Sequence, residues 1–189
     1  SLVFIDELYK TITSEMYKES SRIAAEKGSF PKFNADKFLD SGFMKKMPED
    51  VRQMVRENGM RNVALTTQAP TGTVGSMLST STGIEPYYAF KFYRQSRLGF
   101  HEVLIPLAQE YKSNGSLPKF FVSAMELEPM EHIKVQAAVQ KWTDSSISKT
   151  ANAPADFTIE QTAQLYEKAY ELGCKGVTIY RDSSREEQV

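Results

Sequence analysis

The sequence holds one cysteine, Cys174, in 189 residues. A lone thiol excludes an internal disulfide framework and any Cys-pair metal or redox motif, and it suits a reducing cytoplasm. Histidine is almost as scarce. His101 and His132 fall in separate elements with no acidic residue at zinc-motif spacing, so no metal site is expected. Charge of one sign is lacking as well: 23 basic and 24 acidic residues nearly cancel, which leaves no electrostatic footprint for nucleic acid. No apolar run approaches a bilayer span, so no membrane partner is expected. The basic-then-apolar layout of a signal peptide is missing too, and a helical pattern is already under way at Ser1, so a fragment is expected.

What is present is ordinary globular material, 41% hydrophobic and 25% charged, long enough to bury a core as one domain or a large piece of one. In residues 2–27 Ile5, Leu8, Ile12, Met16 and Ile23 recur at helical spacing, predicting one long helix with that stripe as its core face and Gly28 as its stop. Pro31 breaks the pattern, and Asn34 can cap a short turn ending near Gly42. Pro48 opens a second long helix with Glu49 and Asp50 in its first turn and Gly59 past its end. "RNVALTT" reads as a buried strand. Alternating aromatics predict a strand from Tyr88 to Arg97, a bend at Leu98-Gly99 and a short helix over 103–113. "SNGSLP" reads as a turn. Pro129 starts the helix "PMEHIKVQAAVQKWTD", with Ile133, Ala137 and Val139 inward, and "SSISKTAN" reads as a short strand. Thr158 and Gln161 form a capping box for the helix that Gly173 and Gly176 end; the strand "GVTIYR" and the polar tail "DSSREEQV" follow. Helices alternating with short strands indicate α/β organisation.

Between the first predicted strand and an apolar segment lies "TTQAPTGTVGS", residues 66–76, rich in hydroxyls and glycine and free of charge. Such a stretch leaves backbone N–H groups uncovered, and an anion is their usual ligand. Thr, Ser, Gly and Pro also make ordinary linkers, and composition alone favours that reading. The Walker pattern is absent, since Ser76 stands where Lys would follow the second glycine, so any phosphate would be held by backbone amides.

Other constellations are weaker. His132, inside an amphipathic helix, reads as a structural or surface residue, and Cys174, at a helix C-terminus, as a packing thiol. Ser146 and Lys149 match Ser-x-x-Lys, but no Lys-Thr-Gly element accompanies them. Tyr87, Tyr88, Phe90, Phe92 and Tyr93 could be taken as a base-stacking platform; alternation instead assigns Tyr88, Phe90 and Phe92 to a core face, with Arg94 and Arg97 too few for a basic groove.

Three segments together, "TTQAPTGTVGSMLSTSTGIEPYYAF", "HIKVQAAVQKWTDSSISKT" and "AYELGCKGVTIYRDSSR", resemble in sequence and order the C-terminal part of the catalytic chain of adenosylcobalamin-dependent (class II) ribonucleotide reductases. The resemblance implies an α/β fold, the C-terminal portion of a ten-stranded α/β barrel, incomplete on its own. Residues 1–60 would supply helical segments, 61–182 the phosphate loop and last barrel strands with their helices, and 183–189 a polar tail. It implies that Pro70, Thr71, Gly72, Thr73 and Val74 hold the phosphates of a ribonucleoside di- or triphosphate.

It also implies adenosylcobalamin as the cofactor of the complete enzyme, with a deoxyadenosyl radical generating a cysteine thiyl that abstracts the ribose 3′-hydrogen. A cysteine pair then supplies two electrons as the 2′-hydroxyl leaves as water. The thiyl and reducing cysteines of the family lie outside the matching region. The chain alone is therefore expected to be inactive, with a complementary N-terminal catalytic half, a thioredoxin-type reductant and a homodimer of the complete enzyme as expected partners. The strand "KGVTIYR" lacks the tyrosine pair of the class with a radical-storing subunit. That class's large subunit and a non-catalytic nucleotide-binding or assembly module are the alternatives.

Overall fold

The computed structural model describes residues 2–96, 99–111 and 117–184. In chain order the elements are α1 (Leu2–Lys27), α2 (Ala35–Leu39), a 3-10 turn (Met44–Lys46), α3 (Glu49–Asn58), α4 (Gly72–Met77), β1 (Lys91–Ser96), β2 (Gly99–Leu104), α5 (Pro106–Tyr111), α6 (Pro129–Gln140), β3 (Thr150–Ala153), α7 (Ile159–Glu171) and β4 (Thr178–Arg181). They divide into two compact units. The first comprises Ser1–Gln68, Lys134–Ile147 and Tyr170–Gly176, and the second Ala69–Ile133, Ser148–Ala169 and Val177–Val189.

In the first unit the core gathers Tyr17 of α1, Leu39, Met44, Met47, Val51 and Val55 of α3, Met60 and Trp142. The stop signals act as expected: Gly28 and Gly59 both take positive φ, and the Gly59 N–H closes α3 on the Val55 carbonyl at 2.9 Å. The face that α1 buries differs from the expected stripe. Thr13, Ser14, Tyr17, Ser20, Ser21 and Ala24 point inward, while Leu8 and Ile12 remain 41% and 45% exposed. Small side chains let the helix backbone come close to its neighbours, and their hydroxyls answer buried carbonyls. Thr13 donates to the Trp142 carbonyl at 2.7 Å and Ser21 to that of Met54 at 2.9 Å. Periodicity marks the apolar stripe but does not say which body covers it.

The segment "RNVALTT" is not a strand. Among the described residues its nearest ladder contact is a parallel bridge just beyond it, Gln68 to Ile147. A carboxylate takes the place of a partner strand: Asp144 accepts from the amides of Leu65 at 2.7 Å and Thr66 at 3.0 Å and from the Tyr17 hydroxyl at 2.8 Å.

The second unit holds both sheets, each of two strands. β1 and β2 pair antiparallel from Lys91↔Leu104 to Ser96↔Gly99, and β3 and β4 pair parallel, Thr150 with Thr178 through Ala153 with Arg181. α7 lies between the parallel strands in sequence, as such a connection requires. Its capping box forms as read, with the Gln161 amide donating to Thr158 Oγ1 at 3.1 Å and the Thr158 amide to Gln161 Oε1 at 2.8 Å. Among the described residues the architecture is thus mixed helix and strand, and the sheets do not close.

Tyr88 precedes β1 and is exposed, contrary to the core assignment, whereas Phe90 packs edge-on against Phe121 at 5.2 Å. α6 stops at Gln140, short of the expected Asp144, because the chain turns there, Thr143 N–H reaching the Gln140 carbonyl at 3.2 Å. Arg97 of the predicted strand, Leu98 of the bend, 112 and 113 at the end of the predicted helix, 113–116 of the turn and 185–189 of the tail lie outside the described residues.

Candidate functional site

The 66–76 stretch turns into helix inside its own motif. α4 begins at Gly72, so Gly72, Thr73 and Val74 form its first turn, where backbone N–H groups have no partner within a helix. Thr71 precedes them in the left-handed region, φ 50° and ψ 32°, a conformation that costs a β-branched residue about 1 kcal/mol or more. Its side chain does not cap the helix. Thr71 Oγ1 instead accepts from the Gly83 amide at 2.9 Å, which fixes the strained residue and leaves the first-turn amides uncapped. All five residues from Pro70 to Val74 are exposed. A Cβ on Gly72 would meet nothing within 4 Å, so no packing demand accounts for this glycine.

The bed beneath the loop is tight. A Cβ on Gly75 would come within 2.6 Å of the Thr82 side chain. Gly83, at φ 57°, lies where a Cβ would press on the carbonyls of Ala69 and Pro70 at 3.2 and 3.4 Å. Glu85, the one charged residue between Asn62 and Phe90, closes this turn: its amide donates to the Thr82 carbonyl at 3.2 Å, and its Oε1 accepts from the Thr150 amide of β3 at 2.6 Å. The structure therefore brings the five sequence-derived residues together as one exposed, amide-lined turn on a rigid base. A turn of this kind can meet an anion through backbone dipoles without a lysine.

The other sequence candidates separate from it. Burial pushes the Cys174 thiol up from its ordinary value, the opposite of an activated nucleophile. His132 is buried, a structural residue rather than a surface one. Lys149 donates to His132 and to the Thr150 carbonyl, so it does not serve Ser146 as a base. For His101 the structure describes only the backbone, in register with Arg94. Glu85 gave no signal in the sequence, being an isolated carboxylate in an uncharged stretch, and gains meaning only from the Thr150 amide that donates to it.

Residues 1–180 match the family model described as the ribonucleotide reductase barrel domain. The chain belongs to that family. A vitamin B12-dependent ribonucleoside-diphosphate reductase of Thermoplasma acidophilum is 32% identical, the match covering 97% of this chain and 25% of the relative. One of the same name from Mycobacterium tuberculosis is 33% identical over 96% of this chain and 28% of the relative. A ribonucleoside-diphosphate reductase subunit alpha of Treponema pallidum is 27% identical over 98% of this chain and 22% of its own length. The chain thus spans about a quarter of these ribonucleotide reductase chains.

Proposed function

We propose that this chain is the part of a vitamin B12-dependent ribonucleotide reductase that holds the substrate phosphates, in an enzyme converting ribonucleoside diphosphates to deoxyribonucleotides. The observation that carries the reading is the turn Pro70–Val74, whose uncapped first-turn amides and open Gly72 suit a diphosphate. Supporting the diphosphate is the wording of both B12-dependent relatives' names. The reaction is a reduction in which the ribose 2′-hydroxyl leaves as water and two electrons come from a thiol pair.

The donor chemistry bears on the cofactor. Among the described residues no group of three or more His, Cys, Asp or Glu could hold a metal ion. In the complete enzyme adenosylcobalamin would supply the radical that starts the reaction. The residues here bind and orient phosphate, and the role of the radical-bearing thiol falls outside them.

A complementary part of the catalytic chain is the proposed partner. The exposed face of α1, with Phe4 63% accessible beside Leu8 and Ile12, suits the packing of a further helix or strand from a larger barrel. So does the irregular segment 61–67, which has few backbone partners. Mixing the chain with its complementary half, adenosylcobalamin, a dithiol and a ribonucleotide tests the reading. A deoxyribonucleotide product is expected; a well-folded mixture that makes none counts against it. The subunit alpha relative favours a second reading, the large subunit of the class with a radical-storing partner. Activity that ignores cobalamin and requires a metal-bearing small subunit would select it.

A further inference from the structure

Behind the loop's bed lies a buried pair of basic side chains. Lys149 is 3% exposed and His132 1%, and Lys149 Nζ stands 2.9 Å from His132 Nδ1. His132 Nε2 is 2.9 Å from the Ala124 carbonyl oxygen. A carbonyl only accepts, so Nε2 carries the ring hydrogen and Nδ1 keeps its lone pair toward the amine. Lys149 must therefore donate, and it donates a second time to the Thr150 carbonyl at 2.9 Å. The amide of that same Thr150 is the donor to Glu85, and two residues before Glu85 the Gly83 amide holds the Thr71 hydroxyl. Every member of this relay lies in one compact unit.

We propose that Lys149 is a positioning residue for the Pro70–Val74 loop, held by neutral His132 and acting through Thr150, Glu85 and Gly83. This inference rests on the loop's proposed role as the phosphate holder. Holding Thr150 of β3 at its carbonyl by the amine and at its amide by the carboxylate fixes the two peptides that flank this residue and leaves the loop's bed with little freedom, so the amides of Gly72 to Val74 are preset for the anion. The relay has a chemical condition. Protonating Nδ1 would set N–H against N–H and break the Lys149 contact. Burial first, then the Lys149 charge, lowers the His132 pKa from 6.5, against the raising influence of the Ala124 carbonyl, Glu85 and Glu131. Burial likewise lowers that of Lys149, with Glu85 opposing. The folded protein therefore keeps His132 neutral to lower pH than an open chain does, and the relay is lost as pH falls through that lowered value.

Three measurements on the full catalytic chain test the proposal. Histidine nitrogen NMR should show His132, assigned by its loss in His132→Asn, as the Nε2–H tautomer and still neutral at pH 6.5. Amide hydrogen exchange in Lys149→Met should accelerate at least tenfold at Thr150, Gly83 and Gly75 and stay unchanged at Val55 and Gly59 of the other unit. CDP affinity should fall between pH 7.5 and pH 5.5 by at least threefold more in the unsubstituted protein than in His132→Asn, which offers Lys149 an acceptor that cannot take a proton. Uniform acceleration across both units would reduce Lys149 to a general stabiliser, and no local acceleration would remove it from the relay; either result overturns the proposal, as does a charged His132 at pH 6.5. Equal affinity ratios would overturn it too, provided Gly72→Val weakens CDP binding. If Gly72→Val leaves CDP binding unchanged, the loop's phosphate role fails, and the positioning of an anion site by Lys149 is overturned with it, while the tautomer and exchange results still report on the relay itself.

Discussion

At Gly72 a side chain would enter open space and meet no neighbour within 4 Å. The residue also needs no unusual φ, since Thr71 and not Gly72 takes the left-handed turn. A substituent there would obstruct the first-turn amides while leaving the fold alone. Gly72→Val should therefore weaken ribonucleoside diphosphate binding by about tenfold or more, equivalent to roughly 1.4 kcal/mol, with the unfolding midpoint displaced little. Titration calorimetry on the reassembled enzyme, paired with urea unfolding, checks both halves of that expectation.

Asp144 makes the contrasting case, a residue whose loss harms the fold. Burial alone would raise its pKa, but the amides of Leu65 and Thr66 and the hydroxyls of Tyr17 and Thr66 more than offset it and hold the carboxyl below its ordinary 3.8. A depressed folded-state value means that its stabilisation is complete above about pH 4 to 5 and is lost as pH falls through the lowered value. Asp144→Ala strips two amides of their acceptor in a half-buried setting and should cost about 2 kcal/mol. The difference in stability between the two proteins should shrink below pH 4, which urea titrations at pH 7 and pH 3 would reveal.

Among the elements, α7 has limits that follow from local chemistry. Thr158 and Gln161 satisfy one another's amides at its start, and Gly173, at φ 81°, carries the chain beyond its end. Thr158→Ala should destabilise the helix by about 1 kcal/mol, seen as faster amide exchange in its first turn. α4 differs, because tertiary contacts hold it. With six residues it is too short to persist alone, and the close approach of Gly75 to Thr82 keeps it on its bed. Gly75→Val should dislodge α4 and impair binding together with stability, unlike Gly72→Val.

For the molecule as a whole, the apolar face of α1 bears on assembly. Burial of Leu8 and Ile12 by a complementary chain would contribute about 1.5 to 3 kcal/mol for each side chain fully covered. The double variant Leu8→Asp with Ile12→Asp should leave the unfolding of the isolated chain nearly unchanged and weaken its association with the complementary half by at least a hundredfold. Sedimentation or calorimetry of the mixture measures this.

Helix limits such as Gly28, Pro48, Gly59, Thr158 and Gly173 were legible in the sequence, because proline, glycine and capping hydroxyls act within a few residues of where they stand. The strands β1, β3 and β4 were legible too, whereas β2 was not, its end at Val103 and Leu104 falling in a stretch read as helix. Tertiary structure alone decided that α1 turns its hydroxyl face inward, that 61–67 takes a carboxylate instead of a strand, and that Lys149, His132 and Glu85 meet behind the loop. Each of these depends on residues tens of positions apart, and no local pattern encodes which distant donor will meet which acceptor once backbone packing has set the distances.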